Sequence, residues 1–428
     1  MPLGLYISVP FCRTKCSYCN FASDVFSKSA YENYVARLLE DIANSRQLAS
    51  QVGCALGSAA DERADSVYLG GGTPSILEGP QLLRIFAAVR DHFAITPYAE
   101  ITVECAPGTL TPTLIETLLQ CGVNRVSLGV QSFVDQEAQS VGRLHKRTTV
   151  LEEIGRLREA GLSNINIDLI AGLPHQTSES WAFSVSEAIA TGVPHASVYM
   201  LEVDDDSRLG RELIASGARY HAHFVPNDEA TADFYVQACD MLTTAGIEQY
   251  EISNFARPTM PSRHNLKYWT RLPYIGFGVD AHSMLERTML ERTVLEQSAE
   301  GRASLWQDQS SQSHVRFATP DSLDAYMNRA PHTVTSVSAR AAVEETFFLG
   351  LRLNRGIDLA GMSWERHDFN GAIEQSVQEG LLEQQGTIIR LTARGRLLSN
   401  EVFARFLIPE TEENKSGNRP RESTLVDR

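Results

Sequence analysis

Six times along its first half, the chain sets a short β-branched or aromatic run before a longer stretch with helical apolar spacing. That alternation confines it to βα units, and so to a parallel sheet with helices packed outside it. It predicts strands over Leu5–Val9, Ser66–Leu69, Glu100–Glu104, Arg125–Val130, Asn164–Ile170 and Ala196–Leu201. Intervening helices are expected over Tyr31–Leu48, Gln81–His92, Leu114–Gln120, Val150–Ala160 and Ser178–Thr191. Proline after Thr111, the hydroxyls of Thr177-Ser178, and glycine at 122 and 161 supply start and stop signals. Six units fall short of the eight that close a full barrel, so the expected class is α/β, a partial (β/α)6 barrel.

Organisation changes along the chain. Residues 1–205 hold the six units, and 206–335 are expected to extend the barrel through a helix over Thr231–Ala245 and strands over Gln249–Ile252 and Tyr274–Val279. In 336–408, helices over Ala341–Leu351 and Phe369–Glu379 precede an alternation around Gln384-Gln385-Gly386 that predicts a hairpin, together a smaller C-terminal helical, winged-helix-like domain. The polar stretch 49–65 reads as a surface insertion, 285–314 with its near-duplicate LERTMLERTVLEQ as irregular, and 409–428 as a disordered tail.

The formal net charge of −15 disfavours binding to nucleic acid or acidic membranes. No apolar run is long enough for a spanning helix, and the N-terminus lacks the pattern of a secretory signal. A soluble cytoplasmic protein is therefore expected, as a monomer or a dimer. There are seven cysteines, and three of them, Cys12, Cys16 and Cys19, crowd into one Cys-x3-Cys-x2-Cys motif directly after the first strand. Crowded thiols in a reducing compartment indicate metal or redox chemistry rather than disulfides.

That motif sits where the C-terminal loops of a barrel build its active site. Three thiolates are one short of the usual cluster set, so a cubane held here would leave one iron open to a ligand. A zinc site completed by a distant histidine, or cysteines that are merely buried, are the alternatives. After the second strand comes Gly70-Gly71-Gly72-Thr73-Pro74, whose backbone can approach a small ligand closely. Polar residues recur at the same end of later strands: Glu104, Gln131, Asp168 and Glu202.

The order of strand, cysteine motif with Tyr18 before its last cysteine, second strand and GGGTP resembles the radical S-adenosylmethionine (SAM) superfamily. Its oxygen-independent coproporphyrinogen oxidase group is the closest match, covering about residues 3–408. The resemblance implies a [4Fe-4S] cluster on Cys12, Cys16 and Cys19 whose open iron is chelated by SAM. It places Tyr6, Gly71 and Glu104 at that SAM. Gly72, Thr73, Gln131, Arg143 and Asp168 would line the neighbouring pocket, which in the oxidases holds a second SAM. Two departures point away from the oxidases: Cys19 is followed by Asn20-Phe21 rather than Gly-Cys, and only eleven residues precede Cys12. Both match the HemW-type haem chaperones within the same group.

The stretch His264-Asn265-Leu266-Lys267-Tyr268-Trp269 resembles the haem-binding signature of those chaperones. A neutral imidazole from His264 can ligate haem iron, Tyr268 and Trp269 offer flat faces, and Arg263, Lys267 and Arg271 could pair with propionates. Two functions compete. The first is a haem chaperone that passes haem to haem-dependent proteins, with a reductant protein as a further partner. The second is an oxygen-independent oxidase decarboxylating coproporphyrinogen III. Asp204-Asp205-Asp206 reads as a solvated loop, His221-Ala222-His223 is left unassigned, and the C-terminal helix bearing Glu365, Asp368, Glu374 and Glu379 is too acidic to read DNA.

Overall fold

The computed structural model describes residues 1–215, 217, 219–287, 314–362 and 369–407. The tail at 409–428, the repeat within 288–313, and Glu365 and Asp368 lie outside the described residues.

Strands β1 (Leu3–Val9), β2 (Arg63–Gly71), β3 (Ala94–Cys105), β4 (Arg125–Gln131), β5 (Ile165–Ala171) and β6 (His195–Met200) run parallel, each beside the next. This is the partial (β/α)6 barrel that the alternation predicts. Two antiparallel strands, β7 (Glu248–Gln249) and β8 (Asn254–Ala256), extend its β6 edge. At the other edge β9 (Tyr274–Phe277) pairs in parallel with β1, and antiparallel β10 (His282–Glu286), β11 (His314–Ala318) and β12 (Thr333–Val337) follow. Segments from 206–335 therefore flank both sides of a single twelve-stranded sheet.

Strand alternation separates two chemistries. Val67 and Leu69, Ile101 and Val103, Val126 and Leu128, and Ile165 and Ile167 join one apolar cluster beneath the helices. Their neighbours Ser66, Glu100, Thr102, Arg125, Ser127, Asn166, His195 and Ser197 are equally buried but polar, and they line the barrel interior. Burial of one leucine in the apolar layer contributes roughly 2 kcal/mol. Helix Lys28–Ala43 shows how the outer layer forms: Tyr31, Tyr34, Val35, Leu38 and Ile42 recur at helical spacing and are all buried. The single helix expected through Leu48 breaks at Asn44, where a second, Ser45–Gln51, begins.

The N-terminal ends of the strands are covered by helix Arg263–Trp269, an element that the local apolar spacing does not announce. Glu100 anchors it, accepting from the backbone N–H groups of Arg263 and His264, each at 3.0 Å, where a carboxylate suits a helix start. Beyond it lies a smaller module with its own core of Phe347, Phe369, Ile389 and Phe406. It combines helices Ala339–Gly350 and Asn370–Gln378 with a three-stranded sheet, β13 (Ile357–Asp358), β14 (Leu382–Gln385) and β15 (Ile388–Leu391). Arg352 of this module lies over the Trp269 ring at 4.3 Å.

Candidate functional site: the mouth of the barrel

The cysteine loop leaves β1 at Phe11, whose ring is buried against Phe26, Tyr31 and Tyr34. A parallel bridge from Phe11 to Asp24 closes the loop, and Cys12 N–H donates to Asp24 O at 3.0 Å. Lys15 Nζ ties its far side, donating to the carbonyls of Phe21 at 2.7 Å and Ser23 at 2.6 Å. Cys16 is buried, whereas Cys12 and Cys19 are half-buried. Burial pushes the Cys12 and Cys19 thiols up, and the ionised thiols repel one another, as expected for closely grouped sulfurs with no cation between them. Thr73 Oγ1 donates to Cys12 Sγ and Arg143 Nη1 to Cys16 Sγ, both at 3.7 Å.

Among the described residues, no three His, Cys, Asp or Glu side chains converge as ligands of a single ion would. A cubane distributes its thiolates over separate irons, so the three sulfurs need not converge on one point to hold it.

The glycine run sits beside this loop. Gly71 has φ +102° and donates from its N–H to Glu104 Oε2 at 3.2 Å. A Cβ on Gly72 would meet the carbonyl oxygens of Phe11 at 2.7 Å and Val9 at 2.8 Å, so only glycine lets this loop lie against β1. Glu104 also accepts from the Tyr68 hydroxyl at 2.8 Å, and burial first, then the Asp168 charge, raises its pKa to about 7. Asp168, likewise raised by burial, accepts from Asn166 Nδ2 at 2.7 Å and Ser127 Oγ at 3.1 Å. Gln131 ends β4 with φ +69°, and its Oε1 is buried with no partner, an acceptor suited to a ligand N–H or O–H. Tyr18 packs against Val141, Ile170 and Leu173 at the same end.

Gly71, Gly72, Thr73, Glu104, Gln131 and Arg143 thus gather at the C-terminal ends of the strands beside the cysteine loop, whereas Tyr6 and Asp168 sit at mid-strand, the Tyr6 ring 6.4 Å from that of His264. Two interior residues escaped the sequence reading: Tyr68, which holds Glu104, and Arg125, buried with no ion pair among the described residues. A cation at an inward position of the RVSLGVQ strand was the available signal for Arg125.

His264 lies at the opposite end. It is 1% exposed, with Nδ1 2.9 Å from Ser66 Oγ and Nε2 2.8 Å from the Tyr268 hydroxyl, and burial lowers its pKa to about 3. Both ring nitrogens are already engaged, so in this arrangement His264 does not offer the axial ligand expected from the sequence. The cations around it are engaged as well: Lys267 lies 2.7 Å from Asp65, Arg263 3.9 Å from Asp65, and Arg271 2.8 Å from Glu345. Trp269 is buried rather than presented to a porphyrin.

The profile of the radical SAM superfamily matches residues 6–186, and that of the HemN C-terminal domain matches 337–398. A Bacillus subtilis protein named heme chaperone HemW is 31% identical, the alignment covering 94% of this chain and 98% of the relative. Proteins of the same name from Lactococcus lactis and Escherichia coli are each 29% identical, with 98% of each relative covered. This chain belongs to the HemW family of radical SAM proteins. The crystal structure of coproporphyrinogen III oxidase (HemN) from Escherichia coli shares its fold, with a TM-score of 0.75 at 22% identity over 95% of this chain and 90% of that one. A [4Fe-4S] cluster and SAM are the superfamily's cofactors, and the HemW-family mouth described above has the grouped thiols and close backbone approach that such a pair needs. No described helix is long and apolar enough to cross a membrane.

Proposed function

We propose that this protein binds haem and delivers it to haem-dependent proteins, holding a [4Fe-4S] cluster on Cys12, Cys16 and Cys19 with SAM beside it. The observation that carries this reading is the end-to-end likeness to relatives named heme chaperone HemW, with 98% of the Bacillus subtilis relative covered. When bound, the cluster and SAM supply one-electron chemistry at the mouth. The chain's own residues bind and orient. Gly71 and Gly72 bring the backbone close to SAM, and Glu104 meets its cationic groups with a carboxylate that Gly71 N–H and Tyr68 hold in place. Tyr6 stands at mid-strand beside Tyr68, their ring centroids 6.2 Å apart. Thr73 and Arg143 donate to two of the cluster sulfurs, and Gln131 and Asp168 supply acceptors to the neighbouring pocket. Tyr18 packs with Val141, Ile170 and Leu173 beside Cys16. A cytoplasmic location, a reductant protein and transient contact with haem acceptors complete the reading.

The test is anaerobic reconstitution of the full chain with iron and sulfide, followed by titration with hemin and transfer to an apo-globin acceptor. Stoichiometric Soret absorbance that moves to the acceptor is expected. Absence of haem binding, or robust vinyl-product formation from coproporphyrinogen III with SAM and a reductant, would overturn the assignment in favour of a non-haem or oxidase role.

A further inference from the structure

A single file of hydrogen bonds runs through the barrel interior, from the helix that covers the N-terminal ends of the strands to Asp168. Ser262, the N-cap residue of helix Arg263–Trp269, donates from its N–H to the Tyr250 hydroxyl oxygen at 3.2 Å. That hydroxyl lies 3.0 Å from His195 Nε2, and His195 Nδ1 lies 2.6 Å from Asn166 Oδ1. Asn166 Nδ2 donates to Asp168 Oδ1 and to Ser127 Oγ, each at 2.7 Å, and Ser127 Oγ donates to Asp168 Oδ2 at 3.1 Å. Sheet register builds the file, setting Asn166 between His195 and Ser127 on the neighbouring strands. His195, Asn166 and Ser127 are all buried.

One fixed donor sets the direction of every proton that follows. A backbone N–H can only donate, so the Tyr250 oxygen accepts there and gives its own proton to its other partner, His195 Nε2. Burial, and after it the Arg125 charge, holds His195 neutral. A neutral ring that accepts at Nε2 carries its one proton on Nδ1, and donates it to Asn166 Oδ1. The Asn166 amide is thereby turned with its NH2 group toward Asp168. Reversing the file would set the Asn166 carbonyl against Asp168, which requires a proton on Asp168. It would also leave the Tyr250 O–H with no acceptor among the described residues. Other groups face Asp168 as well: Arg125 from β4, Glu104 from β3, Tyr68 from β2 and Tyr199 from β6. Burial and the Glu104 charge favour the neutral acid, whereas the hydrogen-bond donors and Arg125 favour the carboxylate.

We propose that His195 is the positioning residue for Asp168: acting through Asn166, it presents Asp168 as an acceptor-only carboxylate, so that the pocket selects a ligand bearing N–H or O–H donors or positive charge. A carboxylate has about four acceptor sites, and Asn166 and Ser127 take only two. Gln131 Oε1, buried with no partner, adds another acceptor. The inference rests on the reading that SAM occupies this mouth, since its ammonium, sulfonium and ribose hydroxyls are of that class.

The test begins with the full chain free of cofactors. His195→Phe keeps a ring and removes both nitrogens. In infrared difference spectra at pH 7, it is expected to show a carboxylic-acid C=O band that wild type lacks and that a second change, Asp168→Asn, removes. Glu104 contributes alike in all of these proteins. His195→Gln, whose amide offers both a donor and an acceptor, should return the wild-type spectrum. After anaerobic reconstitution, SAM affinity measured by equilibrium dialysis should be at least tenfold weaker in His195→Phe than in wild type at pH 6.5. At pH 9 the two should agree within about twofold, and His195→Gln should match wild type at both. Circular dichroism checks the fold of each variant. If His195→Phe does not fold, Tyr250→Phe, which removes only a hydroxyl from a half-buried ring, must show the same band at lower intensity. A wild-type spectrum in these variants would overturn the proposal. So would an affinity loss of equal size at every pH that His195→Gln does not rescue, which would make His195 a packing residue. If the infrared result holds while SAM affinity is the same in all the proteins, the positioning stands and SAM does not contact Asp168, so that part of the functional reading falls alone.

Discussion

Gly71 N–H donates to Glu104 Oε2 at 3.2 Å, joining the second and third strands at the point where the glycine loop begins. The carboxylate it holds is buried and so only weakly acidic, with a pKa raised from the ordinary 4.5 to about 7. Between those values the folded protein carries more protons than the unfolded chain. Stability therefore falls as pH rises through this window, and above pH 7 the cost is full, on the order of 3 kcal/mol. Glu104→Gln should raise the melting temperature of the cofactor-free protein at pH 8 and change it little at pH 4.5, as read by thermal denaturation across pH. In wild type, SAM binding near pH 7 should release protons, which calorimetry in buffers of different ionisation enthalpy detects. An unchanged melting temperature for the variant at pH 8 would show that Glu104 is not held in a buried environment.

His264 gives the opposite slope. Its pKa is lowered to about 3 because the ring is buried, so the folded state holds it neutral while the unfolded chain protonates it near pH 6.5. The stability it contributes is fully present above pH 6.5 and is lost as pH falls toward 3, on the order of 4 kcal/mol over that range. His264→Ala removes two hydrogen bonds and opens space under Gly4, and should lower stability by about 2–4 kcal/mol in urea titrations. The hemin spectrum of the surviving folded protein should not change. A changed Soret band would instead assign His264 to the iron.

Gly72→Ala tests the close approach of the loops. Its Cβ would fall 2.7 Å from Phe11 O and 2.8 Å from Val9 O, both backbone atoms that cannot rotate away. Overpacking of this kind costs roughly 1–3 kcal/mol, and here the displaced atoms lead into Cys12. SAM affinity should fall at least tenfold and iron content should drop, measured on material reconstituted in parallel with wild type. Normal SAM binding by this variant would show that the loop has slack which the packing does not suggest.

Alanine at Cys12, Cys16 or Cys19 should each abolish stable binding of iron and labile sulfide. Alanine at Cys105 or Cys121, which are buried in the apolar layer under the helices, should leave cluster content intact. Because burial raises the Cys12 and Cys19 thiols, cluster assembly should also be faster at pH 8.5 than at pH 7. A lost cluster with Cys105→Ala would relocate the ligand set.

The barrel was legible because its strands carry both signals at once, Val126, Leu128 and Val130 turned to the helices while Arg125, Ser127 and Gly129 turn inward. The cysteine loop was legible because close sequence spacing fixes close spacing in space. Helix Arg263–Trp269 was harder to read, since its burial depends on Glu100, Ser66 and Asp65 far away in the chain. A histidine next to tyrosine and tryptophan looks the same in sequence whether it faces a ligand or a serine hydroxyl. Strands β10–β12 were missed for a related reason: they pair across long separations and carry few local turn signals. The meeting of His195 with Tyr250 was equally invisible, because 55 positions separate them.

The plug formed by Arg263–Trp269 has a consequence for traffic. Glu100, His264 and Lys267 are buried at that end, so among the described residues the cysteine loop is the doorway beside Glu104. Arrivals at such a doorway queue, so whichever molecule stands nearest the threshold governs the residence of everything deeper inside.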